Sequence, residues 1–412
     1  MLLRRVAVIV LALVLIVSLR WVAGRSAIVI GAVYPTGGRQ GPGGVEEFLG
    51  LRLAAEYVNQ HGGVNGRSIE VRLEQADSRE AAPVAVKRLA RAGVSVVAGS
   101  YGSTVSRPAA ETAARLGLLF WETGAVGQLS MPAAQDPRVF RFAPTGASLG
   151  RASVAFVRDQ LAPRVRPQRP LRYAVTYVDD VYGRAVGLGA LEEIKSSRQV
   201  LVATLPYQLP GVNYVNLAKE VARANTDILV VAAYLDDGVA IRRAMLHERV
   251  PLIATIGTSS SHCMPEFGRM LGPDAVGVFA SDKPDADVVR VDQLSTQAAD
   301  ALRWAQTEYR RRHGGAMPSP ALSGFAGGLA LMGYVMPAAR DLTPAAVADA
   351  ARSVRLPIGS LPNASGLAFG PVGASEAGAN LLATSVIWEW IRPNTRAVVW
   401  PSAFATHPIV FR

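Results

Sequence analysis

The sequence holds a single cysteine, Cys263, in 412 residues. That excludes an internal disulfide and any cysteine-based zinc site. Lysine is almost as scarce, at four positions (87, 195, 219 and 283), and no basic run is longer than Arg310-Arg311-Arg312. The chain is basic all the same, with 43 Lys and Arg against 32 Asp and Glu and a net charge of +11. Dispersed arginines of this kind form no dense patch, so nucleic acid is excluded as a partner. The five histidines (61, 247, 262, 313 and 407) show no ligand spacing, and His262 beside Cys263 reads as ordinary loop chemistry. The glycine clusters at 37–38 and 41–44 do not build G-x-G-x-x-G, and no G-x-x-x-x-G-K-[ST] occurs. The expectation is a protein that is not an enzyme, with no cofactor, no catalytic residues and no metal.

Charge is also missing from residues 6–19, fourteen residues that follow Arg4 and Arg5 and precede Arg20. The run is short for a bilayer span of about 20 residues and fits the apolar core of a signal peptide. Val22-Ala23-Gly24 offers a cleavage site after Gly24. The rival reading keeps residues 6–24 as a membrane anchor, with Arg20 snorkelling to the interface. No cysteine follows the run, so a lipoprotein anchor is excluded. Either way the chain is expected outside the cytoplasm, in the periplasm or at the cell surface.

Half of the residues are hydrophobic and 18% are charged, which rules out a largely disordered chain. The length gives two or three domains. Apolar, β-rich runs at 27–33, 68–73, 94–98 and 118–121 alternate with helical spacing at 46–59, 79–91 and 107–116. An irregular stretch covers 127–150. The rhythm then restarts, with strands at 172–177, 200–205, 228–233 and 252–256 and helices at 182–195, 214–224 and 237–247. Two long helical stretches follow 277–280, at 291–312 and 320–339, and a strand pair is expected at 367–369 and 385–391. Strands alternating with helices give parallel sheets covered on both faces, so two blocks imply two α/β lobes.

Certain strings are more specific. They are IVIGAVYPTGG (28–38), LAAEYVNQHGGVNGRSIEV (53–71), VVAGSYGSTVSRPAAE (96–111), LLFWETGAV (118–126) and VDDVYGRA (178–185). GLAFGPVG (366–373) and VVWP (398–401) close the series as a final hairpin. In HGGVNG, a helix stop runs into a tight turn, where Asn65-Gly66 tolerates positive φ. In this order, residues 26 to about 403 resemble the type I periplasmic solute-binding proteins of ABC importers, the branched-chain amino-acid-binding group. The resemblance implies an α/β fold of two doubly wound parallel-sheet lobes joined by three crossovers, closing by a hinge on a small polar solute. It divides the chain into 26–146 plus 283–357 for lobe 1, and 147–282 plus 358–412 for lobe 2 and the return crossover. The partners it implies are a carboxylate-bearing solute and an ABC permease in the membrane, the protein itself being a monomer. A membrane-anchored sensor of the same fold is the alternative.

The candidate site starts from chemistry. Gly99 to Thr104 leaves a strand and opens a helix, and free N–H groups there suit a carboxylate. Ser103, with Tyr101 and Thr104 beside it, matches the family's carboxylate-binding serine; a plain helix cap is the other reading. Gly124 and Ala125 match positions where the family offers backbone groups to the ligand. From the second lobe, Tyr182 and Tyr234 match its pocket tyrosines. Two positions depart from the pattern. The family's ammonium-holding threonine is Val126 here, and its acidic partner falls on Ser259. Either another acid takes over, with Glu122 and Asp236 nearest in sequence, or the ligand carries no ammonium. Arg39 and Gln40, in the first glycine-rich loop, complete the candidates at the cleft mouth.

Overall fold

The protein is described from a computed structural model, covering residues 26–127 and 135–410. The segment read as an export signal or anchor, 1–24, lies outside the described residues.

In the first block β1 (Ile28–Tyr34), α1 (Gly41–Gln60), β2 (Ile69–Gln75), α2 (Ala81–Arg91), β3 (Val96–Gly99), α3 (Ser103–Arg115), β4 (Leu119–Glu122) and β5 (Val139–Arg141) follow one another. They form a sheet ordered β2-β1-β3-β4-β5, parallel throughout. The HGGVNG turn takes the expected backbone, with Asn65 at φ 50° and Gly66 at φ 77°. Just before it, Asn59 clamps the strand that follows. Its side chain accepts from Ile69 N at 2.8 Å and donates to Ile69 O at 2.9 Å. That clamp fixes where β2 starts relative to α1.

The second block runs α4 (Gly146–Phe156), β6 (Arg172–Val178), α5 (Val181–Ser196), β7 (Val200–Tyr207), α6 (Tyr214–Arg223), β8 (Ile228–Ala232), α7 (Leu235–His247), β9 (Ala254–Thr258), α8 (Pro265–Leu271) and β10 (Phe279–Asp282). The chain then returns through α9 (Thr296–His313), α10 (Ser319–Leu329) and α11 (Pro344–Ser353) to the first core, and ends in the hairpin β11 (Val386–Arg392) and β12 (Thr395–Trp400). The second sheet is ordered β12-β11-β10-β9-β8-β6-β7. Its strands from β6 to β10 pair in parallel, and the terminal hairpin adds two antiparallel strands. Three crossings between the sheets result: after β5, after β10 and before β11.

The helical stretch Ser319–Ala338 is apolar and long enough to cross a membrane, but most of it is buried in the first core against α1. Here a buried interior accounts for the missing polar face.

Several boundaries differ from the sequence reading. Helix α3 begins at Ser103 rather than 107, taking Pro108 into its second turn. That shift makes Ser103 and Thr104 the first two helical residues. The stretch read as irregular contains β5 and the start of α4, which Thr145 caps by accepting from Ser148 N at 3.1 Å. The partner of 386–392 is β12, not 367–369, which makes only isolated bridges from Leu367 to Leu356 and from Phe369 to Asn380. Residues 361–369, expected with the second lobe, send Leu361, Ala364, Leu367 and Phe369 into the first core. Phe369 stacks edge-on against Trp121 and Phe140, with centroids 5.2 and 4.8 Å away. Burying a phenylalanine contributes roughly 1.5–3 kcal/mol, and each edge-on aromatic pair about 0.5–1.5 kcal/mol more, which favours keeping the segment with the first sheet.

Candidate functional site

The carboxyl ends of β1, β3 and β4 face those of β6, β8, β9 and β10, where open α/β sheets take ligands. Ser103 opens α3 after the extended Gly102, and its residue is buried. Its Oγ accepts from Gly127 N at 3.0 Å, so its own proton remains to be donated. The N–H groups of Ser103 and Thr104 have no intrahelical acceptor by construction. Thr104 donates to Gln40 Oε1 at 3.0 Å, tying α3 to the loop after β1. Tyr101 lies across the first turn of α1, where a Cβ on Gly43 would come within 2.3 Å of its ring. Gln40 therefore reaches the site, whereas the Arg39 side chain lies outside the described residues.

Gly124 and Ala125 sit at the end of β4, but their N–H groups already have an acceptor within the chain. Glu122 Oε1 takes both, at 2.9 and 2.8 Å, while its Oε2 accepts from Ser100 N at 2.8 Å and from the Ser106 hydroxyl. Glu122 is fully buried by this nest. It has no lone pair to spare for an ammonium, which removes it as the substitute acid. Beside it, Tyr34 donates to Thr123 Oγ1 at 2.6 Å and Thr123 donates to Glu47 Oε1 at 2.6 Å. Glu47 is also fully buried, and among the described residues its Oε2 has no hydrogen-bond partner. Burial raises both carboxyls, to about 7 for Glu47, where Lys283 opposes the rise, and to about 8 for Glu122, where the charge of Glu47 adds to it. Lys283, buried on the crossing after β10, donates to Gly124 O at 2.9 Å.

The second sheet contributes an aromatic wall. Tyr182, in the first turn of α5, bonds Thr258 Oγ1 at 2.8 Å and accepts from Ser260 N at 3.4 Å. Ser259 stands beside the same hydroxyl. Tyr234, at the start of α7, donates to Asp180 Oδ2 at 2.7 Å, and its ring centroid lies 5.4 Å from that of Tyr182. Asp180 in turn caps α5 through Gly183 N at 2.8 Å. Burial raises both phenols above their ordinary value, with Asp180 adding to the rise at Tyr234. Asp236 is exposed on α7 and does not join the site. The two sides touch at Gly127, where an added Cβ would lie 2.5 Å from Ser103 Cβ and 2.9 Å from Val181 Cγ1.

The structure thus gathers Ser103, Thr104, Tyr101, Gly124, Ala125, Tyr182, Tyr234 and Ser259 around one cleft. Sequence reasoning missed Glu47, Asp180, Asp282 and Lys283. Glu47 had a signal: it falls four residues before Leu51 on the apolar face of α1, where an acid is out of place. Lys283 had another, as one of four lysines. The string G-x-S-x-G at 146–150, a nucleophile-elbow pattern, falls inside α4, where Ser148 Oγ donates to Thr145 O at 2.7 Å. That is no strand-to-helix elbow. Among the described residues, no group of three or more His, Cys, Asp or Glu is placed to hold a metal ion.

The chain and its fold have known relatives. The model of a periplasmic binding protein family matches residues 27–380. The Leu/Ile/Val-binding protein homolog 8 of Brucella suis is 23% identical over 363 residues, covering 87% of this chain and 88% of its own length. Among solved structures, the leucine-binding protein LivK of Thermotoga maritima superposes with a TM-score of 0.73 at 14% identity, over 90% of this chain and 97% of its own. LivJ of Streptococcus pneumoniae, in complex with isoleucine, gives 0.70 at 16% identity over 91% and 100%. A substrate-binding protein of an ABC transporter from Desulfitobacterium hafniense, in complex with leucine, gives 0.68 at 18% over 90% and 100%.

Proposed function

This chain belongs to the periplasmic binding protein family, and on that premise we propose that it is the extracytoplasmic solute-binding component of an ABC importer. The solute is a small carboxylate-bearing compound of the amino-acid kind, held between the two sheets and released to a membrane permease. It is bound, not transformed.

One observation carries this reading: Ser103 from the first sheet and Tyr182 and Tyr234 from the second converge with their polar tips already held by neighbours. Such groups lose little freedom on binding, so a solute that touches both sides gains affinity from a preorganised site. In the proposed site the Ser103 hydroxyl and the opening N–H groups of α3 take the carboxylate. The tyrosine pair closes over the remainder. A ligand contacting both lobes stabilises the closed state over the open one by its differential affinity. The relatives named for leucine, isoleucine and valine, and the neighbours crystallised with leucine and isoleucine, support amino acids as the first class to try.

The test is a thermal-melt screen of the purified protein against amino acids, small organic acids, amides and ureas. Ligand that binds only the folded state at 100 times its Kd adds about 2.7 kcal/mol, an increase readily seen as a shift in Tm. A shift for one chemical class supports the reading. No shift across the panel contradicts it.

A further inference from the structure

Asp282 ends β10, the strand that feeds the crossing back to the first sheet, and it is 6% exposed. Among the described residues, none bonds its Oδ1. Burial raises the Asp282 carboxyl, and the charges of Lys283 and Arg396 with the Lys283 backbone N–H oppose the rise, but the side chains of both cations bond other groups. Lys283 donates to Gly124 O at 2.9 Å, and Arg396 pairs with Asp285 while stacking 4.4 Å above the Trp388 ring. Its charge is felt by phenols on both sides: after burial itself, Asp282 is the largest cause of the raised Tyr101 phenol, and it also raises that of Tyr182. The Cys263 thiol is pushed up by burial first and then by the charge of Asp282, with which it also shares a hydrogen bond. An acid enclosed in this way, with an unused oxygen between two lobes, is costly unless something positive reaches it.

The other acids around the cleft are accounted for. Glu122 is saturated by its nest, Asp180 is shared between Tyr234 and Gly183, and Asp237 accepts from Tyr207 and from Tyr234 N. Glu47 keeps an oxygen unpartnered among the described residues, but that oxygen packs against Gly124, where a Cβ would meet it at 1.8 Å, and Lys283 is its countercharge.

We propose that Asp282 receives the cationic group of the solute, so that the cleft selects a zwitterion carrying an amine or amidine and rejects the matching amine-free acid. This rests on the binding-protein reading above. It resolves the departure at Ser259: the acid is supplied by the end of β10 instead of the loop after β9. The solute spans the cleft with its carboxylate at Ser103 and its cation at Asp282.

The experiment is calorimetric titration of wild-type protein and Asp282→Asn with the twenty common L-amino acids and the 2-hydroxy acids that match them. For the amino acid that binds wild type, the hydroxy acid is expected to bind roughly 100-fold more weakly or worse, as for a charge losing its buried partner. D282N should lose a similar factor for the amino acid and little for the hydroxy acid, so the discrimination collapses. The ligand-free variant should melt no lower than wild type, because a merely structural role for the carboxylate predicts a fall. Equal binding of amino acid and hydroxy acid by wild type leaves the binding-protein reading standing and overturns the role of Asp282. The same holds if D282N discriminates as wild type does. Failure of wild type to bind any member of either series overturns this proposal, and a Tm shift from a solute without a cationic group in the wider screen does so too.

Discussion

Lys283 Nζ donates to Gly124 O at 2.9 Å. The lysine follows the last parallel strand of the second sheet, and the carbonyl lies in the loop after the fourth strand of the first. One hydrogen bond therefore joins the second crossing to the loop that the candidate site is built on. The same ammonium is the countercharge that moderates Glu47. Lys283→Met keeps the length and the apolar stem but removes both effects. It is expected to cost about 1–3 kcal/mol, the price of a buried carbonyl left unbonded. Urea denaturation checks it, and an unchanged midpoint would show that the bond is incidental.

The pH dependence has a defined sign. Glu47 has a folded value of about 7, against an ordinary carboxyl value of 4.5. A carboxyl raised on folding favours the native state below its unfolded pKa and loses that contribution as pH rises through the folded value. Between about pH 4.5 and pH 7 this one group lowers stability by about 3 kcal/mol. Glu122 acts in the same direction up to about pH 8. Glu47→Gln should be more stable relative to wild type at pH 8 than at pH 5. Melting curves of both proteins at the two pH values measure the difference, and parallel curves would mean that Glu47 stays ionised in both states.

Gly127 tests closure. An alanine there would press on Ser103 from one side and on Val181 from the other. Both neighbours are at helix starts, so neither yields without moving its sheet's loops. Gly127→Ala is expected to weaken solute binding on the order of 10-fold or more, through a less favourable closed state, while the ligand-free protein melts within a few degrees of wild type. Titration paired with a melt separates the two effects.

The fold was legible where local chemistry is strong. The HGGVNG turn, the two blocks of alternating strands and helices, and the apolar helix at Ser319–Ala338 each depend on residues close in sequence. What the sequence hid depends on contacts across the fold. The start of α3 at Ser103 is hidden by Pro108, which suggests a first turn but sits in the second. The docking of Phe369 on Trp121 and Phe140 joins residues more than 200 positions apart. The candidate site divides the same way. Ser103, Tyr182 and Tyr234 were picked out by the family resemblance, through motifs that lie at the carboxyl ends of strands. Glu122 was read as a free acid because nothing in its neighbours announces that Ser100, Gly124 and Ala125 fold back onto it. Asp282 was invisible because its meaning lies in an oxygen without a partner.

The central claim is that a solute carboxylate is held at the opening of α3. It is tested most directly by titrating Ser103→Ala with whichever solute raises the Tm of wild type. Losing a hydrogen bond to a charged group costs about 1.5–3 kcal/mol, so affinity should fall by roughly 10- to 100-fold while the ligand-free melt stays within a few degrees. Unchanged affinity would contradict the account.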